Sequence, residues 1–413
     1  MKKILIINQH GENRGDEAAM RAMIRALDEQ LGNVIFKIIV QFKDKGLKIN
    51  FDQDVELLHM VMSIPEAMGF VLYIFLSMLK IKLNFLLTIN SLKIIRAFQS
   101  SDVVLSAPGG PYFGDIYYKH ELVHWFYVWL AKRYGKKLFL YSPSAGPFKL
   151  KVFNVIRRRM YNMFSVFCIR EKYSKQNLQQ LLGPEAVIHL TADSAIQESI
   201  EPFNKKKYFD GKGLEYENKF IVAVTGNQYK YPGDPNPSKQ RAEFTECLKK
   251  CFKHLCKKRD CHFMFFPQLT GTIHSDYEYH EYLADSLPTG TSWDIIDRNS
   301  DSDTHRKLFG MADFCVASRY HPQIFATNNG IPGIYICYEH KQFAYLSDLG
   351  ISDFAFDIRN LDTEQILLKI DEALNRYDEL SALIKKNLDH IQKRARKSTE
   401  LCVEFYKRNI TSI

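Results

Sequence analysis

An apolar run ends in the segment Ala317-Ser318-Arg319-Tyr320-His321-Pro322, which sets a permanent cation two residues before a titratable imidazole. The run reads as a strand over 313–317. While strand geometry persists, period-two spacing puts both side chains on one side. Together they suggest binding of an anion with transfer of a proton; the bland alternative is a structural pair. Arg170, in Ile169-Arg170-Glu171-Lys172-Tyr173-Ser174, also follows a predicted strand directly. Its planar fork suits carboxylate or phosphate, and a surface ion pair with Glu171 or another acid is the alternative.

Two further loops follow predicted strands. In Gly11-Glu12-Asn13-Arg14-Gly15-Asp16-Glu17, Gly15 permits a tight turn and Asp16 is placed to cap a helix whose N–H groups can receive an anion. In Pro108-Gly109-Gly110-Pro111-Tyr112-Phe113-Gly114-Asp115, the paired glycines let backbone approach a ligand closely, and Asp115 follows at the start of the next helix, where an N-cap is the plain reading. Neither loop has a G-x-G-x-x-G or a lysine-bearing phosphate signature, so nucleotide binding has no motif support.

These loops need elements to hold them. Short apolar runs at 4–7, 34–40, 102–105, 137–141, 166–169 and 186–190 read as strands. Segments 16–31, 117–134 and 151–163 read as helices between them. A polar stretch over 198–218 reads as a linker. A second series follows, with strands at 220–224, 262–266, 313–317 and 334–337 and a helix over 241–257. Alternation of this kind predicts parallel sheets with helices on both faces. The expected architecture is two doubly wound Rossmann-like domains, 1–198 and 219–362, facing a cleft, with a helical segment 363–413 packing back on the first. Ligands in such folds lie beyond the carboxyl ends of the strands.

Composition agrees. The chain has 413 residues, 46% hydrophobic and 25% charged, with a net charge of +9, the balance of a folded two-domain protein. The modest basic excess fits anionic small molecules or a membrane surface and does not call for nucleic acid. Eight cysteines lie mostly in apolar runs without a signal peptide, which favours reduced thiols and the cytoplasm. The longest apolar stretch, 67–79, is too short to span a bilayer; it reads as a buried helix or as a patch facing the membrane.

Other patterns compete for attention. His120-Glu121-Leu122-Val123-His124 matches H-E-x-x-H without a third histidine. Asp301-Ser302-Asp303 resembles a D-x-D metal and nucleotide-sugar site, with a helix-capping loop as the plainer reading. Cys247, Cys251, Cys256 and Cys261 with His254 and His262 lack paired C-x-x-C knuckles. Tyr112, Tyr117, Tyr118 and Trp125 stack on sugars or fill a core.

The loops, in this order, resemble the polysaccharide pyruvyl transferases. The resemblance is carried by 13–18, by Gly109-Gly110 through Asp115, and by Ser144-Ala145-Gly146-Pro147. It continues in Arg170 with Ser174, in Asp193-Ser194-Ala195, and in Ser318-Arg319-Tyr320-His321 through Gly330-Ile331-Pro332 to Lys341. It implies a fold similar to the glycosyltransferase B type. It also implies transfer of a pyruvyl group from phosphoenolpyruvate to sugar hydroxyls of a surface polysaccharide or its lipid-linked precursor, as a ketal with phosphate released. Arg319 and Arg170 would hold the donor's anionic ends, with Asn13, Asp16, Gly109, Gly110, Ser318 and Lys341 as further contacts. His321 would be general acid and Asp115 general base, or the reverse. No metal or cofactor is implied. The competing reading within the same fold is a nucleotide-sugar glycosyltransferase.

Overall fold

The computed structural model describes residues 1–41, 49–60, 63–81, 83–115, 118–227, 236–269 and 276–410. The chain divides into two compact units. The first comprises 1–11, 19–194 and 396–413; the second comprises 12–18 and 195–395.

The first unit is built on seven parallel strands: β1 (Lys2–His10), β2 (Val34–Gln41), β3 (Val55–His59), β4 (Val103–Ser106), β6 (Lys137–Tyr141), β8 (Phe164–Ile169) and β9 (Ile188–Leu190). Their order is β3-β2-β1-β4-β6-β8-β9, and a separate pair joins β5 (Gly109–Phe113) to β7 (Pro143–Ala145). Central strands such as Val103–Ser106 are buried throughout, as parallel strands covered on both faces must be. One face packs on Phe70, Ile74, Phe98, Trp125 and Tyr161 from the helices Ile64–Met78, Ile89–Ser100, Tyr118–Arg133 and Lys151–Tyr161. The other packs on Met20, Ile24 and Leu27 and on Cys402, Phe405 and Tyr406. Tyr406 also donates its hydroxyl to Asp102 at 2.8 Å.

The second unit carries β10 (Phe220–Thr225), β11 (Cys261–Phe265), β12 (Ser292–Ile295), β13 (Phe314–Ala317), β14 (Gly333–Cys337) and β15 (Ala355–Asp357), ordered β12-β11-β10-β13-β14-β15 and all parallel. The chain builds outward from β10 on one side and then returns to β13 on the other. The strand order therefore reverses between β10 and β13, where such sheets bind ligands.

Several expectations change in detail. The stretch 198–218 is not all irregular: Asn204 caps a helix Lys205–Lys212 that ends at Gly213 in the left-handed region. The segment from 363 is two helices, Thr363–Asn375 and Tyr377–Ile410. Strands β3, β5, β7, β12 and β15 were hidden by short length and mixed polarity.

Candidate functional site

The two strands flanking the reversal in the second unit end at Thr225 and Ala317. Ser318 follows β13 and locks it to β10. Its backbone N–H and its hydroxyl both donate to the Thr225 carbonyl, at 3.1 and 3.2 Å. Ser318 is fully buried and acts here as a strand tie.

Arg319 then leaves the sheet and caps the helix Tyr320–Thr327 in extended conformation. Its Nη2 donates to Asp276 Oδ1 at 2.6 Å, with both side chains almost buried. The other oxygen of Asp276 accepts the backbone N–H groups of Gln268 and Leu269, each at 3.0 Å. The same strand of chain meets residues 13–14: the Gln268 carbonyl accepts from Arg14 N at 3.0 Å, and Asn13 bridges Leu269 antiparallel. A chain of bonds thus runs from residues 13–14 through 268–269 and Asp276 to Arg319.

His321 adds a direct contact. Its ring lies against the Cα of Gly15, so closely that a Cβ there would stand 1.9 Å from Nδ1. On its other side Tyr320 packs edge-on, with centroids 5.2 Å apart. Lys341 lies over the Tyr320 ring at 5.5 Å and pairs with Glu339 at 2.7 Å. Arg319, His321 and Lys341 are thereby gathered with the first turn of the helix Arg14–Leu31, whose amino end carries partial positive charge.

That helix start differs from expectation in one respect. Its amides are already satisfied: Asn13 Oδ1 accepts from Gly15 N and Asp16 N at 2.9 and 3.3 Å, and the Asn13 carbonyl accepts from Glu17 N. Asn13, rather than Asp16, is the cap. What the terminus offers a ligand is its field.

Behind this chain of bonds lie buried histidines. Burial, with the charges of Arg14 and His280 added, pushes the His305 imidazole down to about 3. Burial pushes His280 down to about 4. His305 Nδ1 meets Gln268 at 3.2 Å, and His280 Nε2 meets the Gly226 backbone at 3.0 Å. Both are neutral packing groups near neutral pH.

The remaining candidates lie in the first unit. Gly109 opens β5 with φ of 134°, a conformation that favours glycine, and open space surrounds the position a Gly110 Cβ would take. Asp115 accepts from Arg157 at 2.7 Å through Oδ1, and from Lys149 N and Leu150 N at 2.5 and 3.1 Å through Oδ2. Arg157 is completely buried and also pairs with Glu121 at 2.9 Å. Glu121, the acid of H-E-x-x-H, is consequently an internal ion-pair partner, while His124 Nδ1 meets Asn8 at 3.0 Å. Arg170 stands at the end of β8 and is buried. Its fork is turned inwards to Asp193 and to Ser144, the latter at 2.8 Å, because a buried guanidinium must be paired.

The other patterns resolve into packing. Asp301 caps the helix Ser302–Phe309, accepting from Thr304 N at 2.8 Å. Cys247, Cys251 and Cys261 are buried free thiols, and His254 pairs with Asp371 at 2.8 Å. Among the described residues no cluster of three or more His, Cys, Asp or Glu side chains is arranged to hold a metal ion. Tyr117 lies outside the described residues.

Asp276, Gln268 and the pairing of Gly15 with His321 escaped sequence reading. Their partners lie far away in the chain, and no local pattern announces them.

Two α/β units with parallel sheets place the molecule in the glycosyltransferase B fold class. Solved structures agree over the full chain. Staphylococcus aureus MnaA, solved with UDP, superimposes with a TM-score of 0.61 at 12% identity, covering 100% of this chain and 98% of its own. Anabaena HepE, solved with UDP-glucose, gives 0.58 at 12% identity with 100% of both chains covered. The chain belongs to the polysaccharide pyruvyl transferase family, whose model matches residues 13–340. It is 22% identical to the amylovoran biosynthesis protein AmsJ of Erwinia amylovora over 292 residues, 68% of each chain.

Proposed function

We propose that the protein transfers the pyruvyl group of phosphoenolpyruvate to two hydroxyls of a sugar, forming a cyclic ketal and releasing phosphate. The acceptor is a surface polysaccharide or its lipid-linked precursor. The observation that carries the proposal is the gathering of Arg319, pinned by Asp276, with His321, seated on Gly15. A fixed cation, an imidazole and the field of a helix amino terminus suit a small molecule with two anionic ends that must also receive a proton.

The reaction balances as addition, then elimination. A proton added to the methylene carbon makes the neighbouring carbon cation-like. A sugar hydroxyl attacks there and loses its proton to a base. The phosphate departs, and the second hydroxyl closes the ring with loss of its own proton. His321 is assigned the acid role and Asp115 the base role, and the two can be exchanged. Arg157 and two backbone amides fill three of the roughly four acceptor positions of the Asp115 carboxylate, so it is oriented and keeps one position for a hydroxyl. Arg319 supplies positioning and charge stabilisation, which together account for several kcal/mol of barrier lowering in such sites. Arg170, paired with Asp193 and Ser144 as Arg319 is with Asp276, remains the second candidate for the donor's anionic ends.

Calorimetric titration tests the donor. Saturable phosphoenolpyruvate binding that disappears in Arg319→Ala is expected. Heat with UDP and none with phosphoenolpyruvate would replace the proposal with a nucleotide-sugar glycosyltransferase.

A further inference from the structure

The helix Ile64–Met78 has two apolar stripes. Phe70, Tyr73 and Ile74 face inward and are buried in the core of the first unit. Met68, Val71, Leu72 and Phe75, spaced i, i+3, i+4 and i+7, face outward and are 46–68% exposed. A helix that is apolar all round is ordinarily buried or in contact with lipid. The segment beyond it continues the outer surface, with Phe85 and Ile89 each 80% exposed.

A second outward stripe stands on the helix Lys151–Tyr161, where Val152, Val155 and Ile156 are exposed between Lys151 and Arg159. Both helices send their inner residues into one core on one face of the sheet. Their outer residues therefore look out from the same side of the unit.

The charge of this region is lopsided. Residues 63–163 hold fourteen Lys or Arg and four Asp or Glu, a net +10 in a chain whose total is +9. Glu66, Asp115 and Glu121 are turned to internal donors, and Asp102 is exposed while bonded to the last helix. Glu66 accepts from Ser91 at 3.1 Å, Asp102 from Tyr406, and Asp115 and Glu121 from Arg157. The outer surface thus combines large apolar side chains with Lys80, Lys93, Arg96, Lys151 and Arg159, all exposed.

We propose that this side of the first unit is a docking surface for an anionic lipid bilayer, which the apolar stripes enter while the basic side chains meet the headgroups. That combination is what interfacial binding requires. The surface lies on the bilayer rather than crossing it, since no helix among the described residues is long and apolar enough to span a membrane. A second copy of the chain is a poorer occupant, because two strongly basic faces would be brought together. The proposal stands on the first unit and not on the pyruvyl-transfer reading.

Flotation of the full chain with vesicles tests it. Partition is expected onto phosphatidylcholine vesicles containing phosphatidylglycerol, falling about fivefold for each basic charge removed, and weakly onto phosphatidylcholine alone. Phe75→Ser with Phe85→Ser, and separately Lys151→Glu with Arg159→Glu, should each lower partition at least tenfold while leaving the melting temperature and phosphoenolpyruvate titration unchanged. Absence of flotation at low salt, or flotation that neither variant weakens, would overturn the proposal. So would a parent protein that sediments as a dimer, with a Phe75→Ser/Phe85→Ser variant that sediments as a monomer yet still floats. The titration in solution separates failure of the docking surface from failure of the donor assignment.

Discussion

The ring of His321 occupies the space that any side chain at position 15 would fill: a Cβ on Gly15 would lie 1.9 Å from Nδ1 and 2.5 Å from the His321 Cβ. Glycine at this first helical turn is therefore a requirement of close approach. It lets the imidazole reach the amino end of an 18-residue helix.

Gly15→Ala should behave opposite to the usual rule. Replacing glycine by alanine within a helix normally stabilises by roughly 0.5–1 kcal/mol. Here overlap with His321 should lower the melting temperature and weaken phosphoenolpyruvate binding by an order of magnitude or more. A raised melting temperature with intact donor affinity would remove His321 from its assigned place.

Asp276→Asn tests the pinning of Arg319. Removing one charge of a nearly buried pair takes a counter-charge from the other, at a cost of up to roughly 3–5 kcal/mol. The denaturation midpoint should fall accordingly, and the donor KM should rise more than kcat falls. An unchanged KM would show that Arg319 is held well enough without its partner.

Arg157→Leu should expose the internal tension around Glu121. Burial raises the carboxyl above its ordinary value, and the Arg157 hydrogen bond and charge oppose that rise. A raised folded-state value means that protonation favours the folded form, so stability from this group is present at low pH and lost as pH rises through that value. The variant's deficit relative to the parent should be largest near pH 7 and shrink on acidification. Comparing urea midpoints of both proteins at each pH reads this directly; a constant difference would rule the account out.

Acid should weaken the second unit through its buried histidines. His262, His280 and His305 are pushed down to about 4, about 4 and about 3 by burial, against an ordinary value of about 6.5. The unfolded chain therefore binds more protons, and stability present above about pH 6.5 is lost as pH falls towards 4. The slope is up to about 1.4 kcal/mol per pH unit for each histidine. His305→Gln should flatten it; a parent protein whose stability stays level over that range would contradict the burial argument.

Asp115→Asn separates a base from a structural clamp. As the base, it should leave donor binding intact and cut turnover about 10²–10⁴-fold. Turnover close to the parent's, measured where the variant is fully folded, would confine Asp115 to holding Arg157 and the amides of residues 149 and 150.

Much of the architecture was legible in the chain. Continuous apolar runs such as 137–141 and 220–224 became central parallel strands, since strands covered on both faces must be apolar throughout. The alternation of runs and amphipathic segments was enough for two doubly wound units. Edge strands such as Ala355–Asp357 were not legible, because a strand of three residues with mixed burial has no pattern to read.

For the site, sequence alone determined residue type and local position: a cation and an imidazole two apart after a strand, glycines where backbone turns, an asparagine before a helix. Tertiary structure decided partnership. Arg170 and Arg319 have the same local setting, each just beyond an apolar strand, yet Arg170 pairs with Asp193 and Ser144 inside the first unit. Arg319 is instead oriented by Asp276 and set beside the histidine that rests on Gly15. A guanidinium carries the same charge in either place. Which acid neutralises it, and what it can then hold, depends on residues tens to hundreds of positions away that only folding brings within hydrogen-bond reach.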